Sequence, residues 1–139
     1  MTAKEYLNRI LDWRGQLWRE KADIEREAEM MLSIGGMDYS ADRVQKTPET
    51  GMPKVERLVD RKMHYDAEFL QYTAEKDRIR AQIEAMGNEM FKNILVYRYI
   101  CGFRFREIGE IMGYAENTLN HYHGEALRQF GAKYLGTGQ

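Results

Sequence analysis

Apolar residues recur every seven positions through the first part of the chain: Ala3, Ile10, Leu17, Ile24 and Met31, flanked by Leu11, Trp18 and Leu32. The stretch from about Thr2 to Leu32 has no proline and is rich in Glu, Arg, Lys, Ala and Leu, so it is predicted to be one long helix. A seven-residue apolar repeat set among mixed charge leaves a stripe in water unless a partner helix covers it. A second segment, from about Lys54 to Met86, repeats the pattern with Leu58, Tyr65, Tyr72, Ile79 and Met86 in one row. Val55, Phe69 and Ile83 lie in the adjoining row, which Lys62 and Lys76 interrupt. Each segment makes a rod on the order of 45 to 50 Å, and the two are expected to pair antiparallel. Trp13 falls off the main stripe and is either a second contact surface or, as expected here, an exposed aromatic. Because Tyr6, Leu11, Trp18 and Phe69 widen the stripes, the long helices (residues 1–86) are expected to form a homodimer. A hairpin folded back on the rest of the chain is the alternative.

Between the rods, Ser33 to Pro53 holds three of the twelve glycines and both prolines. It reads as a connecting loop at about 33–53, with Gly35 and Gly36 ending the first helix and Pro53 in the first turn of the second. At about twenty residues it is long for a helix connection, and Asp38, Tyr39, Ser40 and Val44 are docking candidates within it. Gly87 and Asn88 break the pattern again, with Asn88 as N-cap of a helix from Glu89 to Cys101 that Gly102 ends.

The most demanding pattern follows, in Phe105 to Tyr122 (FREIGEIMGYAENTLNHY), and it has the spacing of a helix-turn-helix. Gly109 is small enough to let a second helix approach the first, and Gly113 tolerates the positive φ of the corner. Ile108, Met112, Tyr114, Leu119 and Tyr122 fall where side chains point between the helices. Glu107, Glu110, Asn117, Asn120 and His121 fall outside.

Composition supports an all-α chain, a long antiparallel helical hairpin followed by a C-terminal helix-turn-helix unit at residues 87–139. It is 43% apolar and 31% charged, with two prolines. The net charge of −1 lacks the basic excess that announces nucleic-acid binding, so any such role rests on local charge. The single Cys101 makes no internal disulfide or zinc site and is expected to be a buried thiol in a reducing compartment. No apolar run is long enough for a signal peptide or a bilayer span, so a cytoplasmic protein without membrane association is expected. His121 and His123 are two apart on a helix and cannot clamp one metal; His123 is expected to pack and His121 to face solvent. With no phosphate-cradling loop and no nucleophile beside a base, no enzymatic activity, metal or cofactor is expected.

The run ILVYRYICGFRFREIGEIMGYAENTLNHYHGEALRQF resembles the helix-turn-helix of sigma-factor region 4, and most closely the phage RinA/ArpU group of late-gene transcriptional regulators. Arg98-Tyr99, Gly102, Glu107 to Gly109, Met112 to Tyr114, Thr118-Leu119 and Ala126-Leu127 carry the resemblance over about forty residues. It implies sequence-specific binding of double-stranded phage or prophage DNA and control of transcription. Outward residues early on the second motif helix, Glu116, Asn117, Asn120 and His121, are the base-reading candidates, since Asn bonds adenine bidentately and Glu accepts from cytosine. Arg104, Arg106, Arg128 and Lys133 are the phosphate-contact candidates. The chain departs from the pattern at Ala115, where relatives commonly carry a capping Ser, and at His121, Gly124 and Glu125, which are often basic.

From Asn88 to Gln139 six basic residues (92, 98, 104, 106, 128, 133) meet five acidic ones (89, 107, 110, 116, 125), a local net charge of +1. That is meagre for DNA, so two copies on paired half-sites are expected. Two other roles fit the same layout: a packaging oligomer like the phage small terminase subunit, and a helix-turn-helix repurposed to hold a protein such as RNA polymerase.

Overall fold

The computed structural model describes residues 1–37 and 48–136. Among the described residues the fold is all-α, with five α-helices, one π-helical segment and no strand. The helices are α1 (Ala3–Met37), α2 (Pro48–Glu84), α3 (Glu89–Leu95), α4 (Phe105–Met112) and α5 (Glu116–Tyr134); the π-helical turn is Val96–Ile100.

Helix α1 runs past its expected end, and α2 starts before its expected beginning and stops at Glu84, two residues short of Met86. Helix α1 runs through Gly35 and Gly36 to Met37; a glycine costs about 1 kcal/mol in a helix but does not forbid one. Helix α2 opens on Pro48, which takes the first helical position, and Pro53 lies inside the helix. The docking candidates Asp38, Tyr39, Ser40 and Val44 lie outside the described residues. At its start α1 is fixed by a capping box not singled out in the sequence: the Glu5 amide donates to Thr2 Oγ1 at 3.2 Å, and the Thr2 amide donates to Glu5 Oε1 at 3.1 Å.

The chain divides into two compact units, and both long helices contribute to each. One unit comprises Met1–Arg14 and Tyr72–Gln139. Its core takes Ala3, Tyr6, Leu7 and Ile10 from α1, Tyr72, Ile79 and Ile83 from α2, and Phe91, Ile94 and Leu95 from α3. Met86, Tyr99, Ile100, Ile108, Leu119, Ala126 and Phe130 complete it. The polar ends of its aromatics are satisfied: Tyr6 Oη donates to Gln82 Oε1 at 2.8 Å, and Tyr134 Oη donates to the Gln82 carbonyl at 2.6 Å. Trp13 is half-buried and sits edge-on to Tyr72, with ring centroids 5.7 Å apart, so it is a packing residue and not the exposed aromatic expected.

The other unit is Gly15–Gln71. Only Leu17 and Ile24 of its described large apolar residues are buried. The guanidinium of Arg61 gathers three carboxylates that share one face of α1, Glu20 at 2.9 Å, Asp23 at 2.8 Å and Glu27 at 2.8 Å. Those hydrogen bonds hold its ionisation above the usual arginine range. Trp18 and Phe69, expected to widen the stripes toward a second copy, are 65% and 44% exposed, and Leu32 is 76% exposed.

Candidate nucleic-acid interface

The site is built from the connection after α2 onward. Asn88 caps α3 as its sequence suggested, its Oδ1 accepting from the Phe91 amide at 3.0 Å. The expected single helix from Glu89 to Cys101 instead widens after Leu95 into the π turn, where the Cys101 amide donates to the Val96 carbonyl at 2.9 Å. Nothing in the residue pattern marked that change. Beyond it Gly102 takes φ 77°, and a Cβ there would also meet the Arg14 guanidinium at 2.4 Å. Arg98 then braces the entry to α4: it donates to the Phe103 carbonyl at 3.1 Å and lies over the Phe105 ring at 4.7 Å.

Helix α4 begins with the Glu107 carboxylate accepting from the Arg104 amide at 2.9 Å. It ends at Gly113, whose φ of 77° is the left-handed conformation the corner needs. The amides of Gly113 and Tyr114 both donate to the Gly109 carbonyl, at 2.8 and 3.0 Å. A Cβ on Gly109 would come within 2.8 Å of the Tyr114 carbonyl oxygen, so the tight return of the chain depends on its absence. Ile108 and Leu119 are fully buried against Ile94, and Met112, Tyr114 and Tyr122 pack around them. The six residues read as motif-defining, Ile108, Gly109, Met112, Gly113, Leu119 and Tyr122, thus meet at one corner.

Helix α5 starts at Ala115 with no side-chain cap. Its first turns present Glu116, Asn117, Asn120 and His121 to solvent, while Leu119 points into the core. His123, one turn on, goes inward as expected. It is 8% exposed, shares a 2.9 Å hydrogen bond with Tyr99 Oη and packs edge-on against Phe105. Burial, with the charges of Arg98 and Lys4, pushes its imidazole down to about 4, so the ring is neutral near pH 7. Burial likewise pushes the Tyr99 hydroxyl up to about 12. Cys101 is a free, half-buried thiol.

The cations separate into two kinds. Arg104 and Arg106 are exposed and form no ion pair among the described residues. Arg128 is paired with Glu125 at 2.8 Å, and Lys133 Nζ donates to the Ala85 carbonyl at 2.7 Å. Sequence reasoning treated these four alike because it had no view of their partners. Among the described residues no group of His, Cys, Asp and Glu side chains is placed to hold a metal ion, and no helix is long and apolar enough to cross a membrane. Neither a family model, nor a curated protein, nor a solved structure matches the chain.

Proposed function

We propose that α4, the Gly113 corner and α5 constitute a helix-turn-helix, and that the chain is a sequence-specific DNA-binding regulator of transcription of phage or prophage origin. In this reading α1 and α2 pair as an antiparallel hairpin that holds two copies together, and the first turns of α5 lie in the major groove. The carrying observation is that Glu116, Asn117, Asn120 and His121 are exposed together on one end of a helix whose Leu119 is locked into the core behind two essential glycines. Rigid presentation of amide and carboxylate groups is what direct readout requires. The likeness of Arg98 to Leu127 to the phage RinA/ArpU pattern supports the same assignment.

Arg106 and Arg104 supply the first phosphate contacts, being exposed beside the start of α4. Arg128 and Lys133 contribute only after releasing Glu125 and the Ala85 carbonyl, which lowers their value.

Selection from a random duplex pool tests the proposal. A defined motif is expected, with Asn117→Ala and Asn120→Ala each relaxing one base position by about 1–3 kcal/mol. Arg106→Ala is expected to weaken binding across all sequences and to flatten the salt dependence by about one ion. Recovery of no motif, with binding indifferent to all three substitutions, refutes the assignment.

A further inference from the structure

Helix α2 carries a second apolar stripe, distinct from the one that faces α1. Val55, Val59, Met63 and Leu70 are 48%, 50%, 64% and 71% exposed. At 3.6 residues per turn they lie within one narrow band, about 140° around the helix from Leu58, Arg61, Tyr65 and Tyr72. The band extends about 22 Å along the axis. Isolated exposed apolar residues are ordinary, but an aligned row of four, opposite the half-buried Leu58, Arg61 and Tyr65, is the pattern of a contact surface.

Two charged residues, Lys62 and Asp66, border this band and interrupt it, both exposed and forming no ion pair among the described residues. They are opposite in sign and four residues apart. Those two facts select the occupant. A second copy laid parallel and in register sets Lys62 against Lys62 and Asp66 against Asp66, which is repulsive at both levels. A second copy laid antiparallel about a two-fold axis at the level of residue 64 sets each Lys62 beside Asp66 of the other copy, twice over. The same axis brings the two Met63 side chains together and sets Leu70 of each copy between the levels of Val55 and Val59 of the other. The surface is self-complementary, as a two-fold interface must be.

We propose that a second copy of the chain docks antiparallel along the Val55–Val59–Met63–Leu70 face of α2, with reciprocal Lys62–Asp66 ion pairs fixing its register. This deepens the two-copy part of the proposed function and names a different face from the one the sequence pointed to. Of the four residues expected to widen the stripes, Tyr6 is buried and Leu11 half-buried, while Trp18 and Phe69 are exposed.

The test uses the full chain. Sedimentation at micromolar concentration is expected to give a dimer, and Val59→Glu with Leu70→Glu to halve the apparent mass while helicity by circular dichroism is kept. Lys62→Asp alone and Asp66→Lys alone are each expected to weaken the dimer at low salt, and the double swap to restore it. In a Cys101→Ser background, Met63→Cys is expected to cross-link to itself under oxidation. Val55→Cys is not, because antiparallel copies hold those positions about 27 Å apart. A monomeric parent chain, a dimer indifferent to the glutamates, or self-cross-linking through Val55→Cys overturns the proposal. A chain that dimerises by this face yet selects no duplex removes the DNA reading alone; a monomer that selects duplex removes this face alone.

Discussion

The two compact units are built from the same two long helices yet bury their apolar residues very differently. In Met1–Arg14 with Tyr72–Gln139, nearly every large apolar side chain is covered, Met1 and Ile111 being the exceptions above half exposure. Among the described residues of Gly15–Gln71 only Leu17 and Ile24 of the large apolar ones are buried, while Trp18, Met30, Leu32, Val55, Val59, Met63, Phe69 and Leu70 are exposed. The difference follows from geometry. In the first unit α3, α4 and α5 wall in the stretches of α1 and α2 that belong to it, and the second unit has no further helix among its described residues. A heptad shows that a stripe wants cover; the neighbours decide whether it gets any.

The sharpest way to break this comparison is to truncate one residue on each side of it. Leu119→Ala removes a side chain with no exposure from between Ile94 and Ile108 and is expected to cost about 2–5 kcal/mol. Met63→Ala, at 64% exposure, is expected to cost under about 0.5 kcal/mol when measured at dilution low enough to keep the chain monomeric. Urea denaturation of both variants checks it, and equal losses would mean that burial does not distinguish the units.

Acid should act on the first unit through His123. Its folded-state value of about 4 lies below the ordinary 6.5, so between those limits the unfolded chain binds the proton and the folded chain does not. Stability is then full above about pH 6.5, falls as the pH drops through the window, and levels off below 4, a loss on the order of 3 kcal/mol from this group. Chemical denaturation from pH 7 to 4 measures it. A His123→Asn variant, less stable at pH 7 for want of the packed ring, is expected to show a flatter profile. An imidazole signal for residue 123 titrating near pH 6.5 would remove the effect.

These residues also show what the chain makes legible. The corner around Ile108, Gly109, Gly113 and Leu119 could be read because each position has a steric demand that few residues meet, and the buried row Ala3, Ile10, Leu17 and Ile24 because periodicity alone fixes a face. Asn88 was legible as a cap for the same local reason. The π turn was not, since Val96–Ile100 have nothing in their composition that separates a π from an α turn. Nor was the packing of Trp13, which depends on Tyr72 at a distance of almost sixty residues in sequence. The pairing of Lys133 and Arg128 stayed hidden likewise, because a cation's partner is a tertiary fact.

Glycines offer a smaller contrast between the units. Gly15 lies exposed inside α1 with open space where a Cβ would go, so Gly15→Ala is expected to stabilise by about 0.5–1 kcal/mol through helix propensity. Gly109→Ala makes the same gain in α4 but drives its Cβ against the Tyr114 carbonyl, and backbone cannot swing aside as a flexible side chain can. A net loss of about 1–2 kcal/mol is expected. Thermal melts of the pair give the sign directly, and stabilisation by both would show that the corner has slack.

The smallest effect concerns Ala115, where the site itself is under-built. Residue 115 has the extended backbone of an N-cap, φ −67° and ψ 154°, yet its methyl group accepts nothing from the first amides of α5. Ser at this position would place an oxygen to accept from the amide of Asn117 or Thr118, in the same conformation and with no neighbour displaced. Ala115→Ser is therefore expected to stabilise by about 1 kcal/mol or somewhat less. Under the proposed DNA-binding reading, the gained bond, which holds the turn that carries Glu116 and Asn117, should also influence duplex binding. If that turn is already rigid in the free protein, the melting temperature rises and affinity for a selected duplex stays constant. If the turn orders only on the duplex, the bond forms mainly in the complex, so affinity rises while the melting temperature of the free chain changes little. Measuring both on the one variant separates a preformed turn from one completed by a ligand, and a melting temperature and an affinity both unchanged would show that water already satisfies those amides as well as serine does.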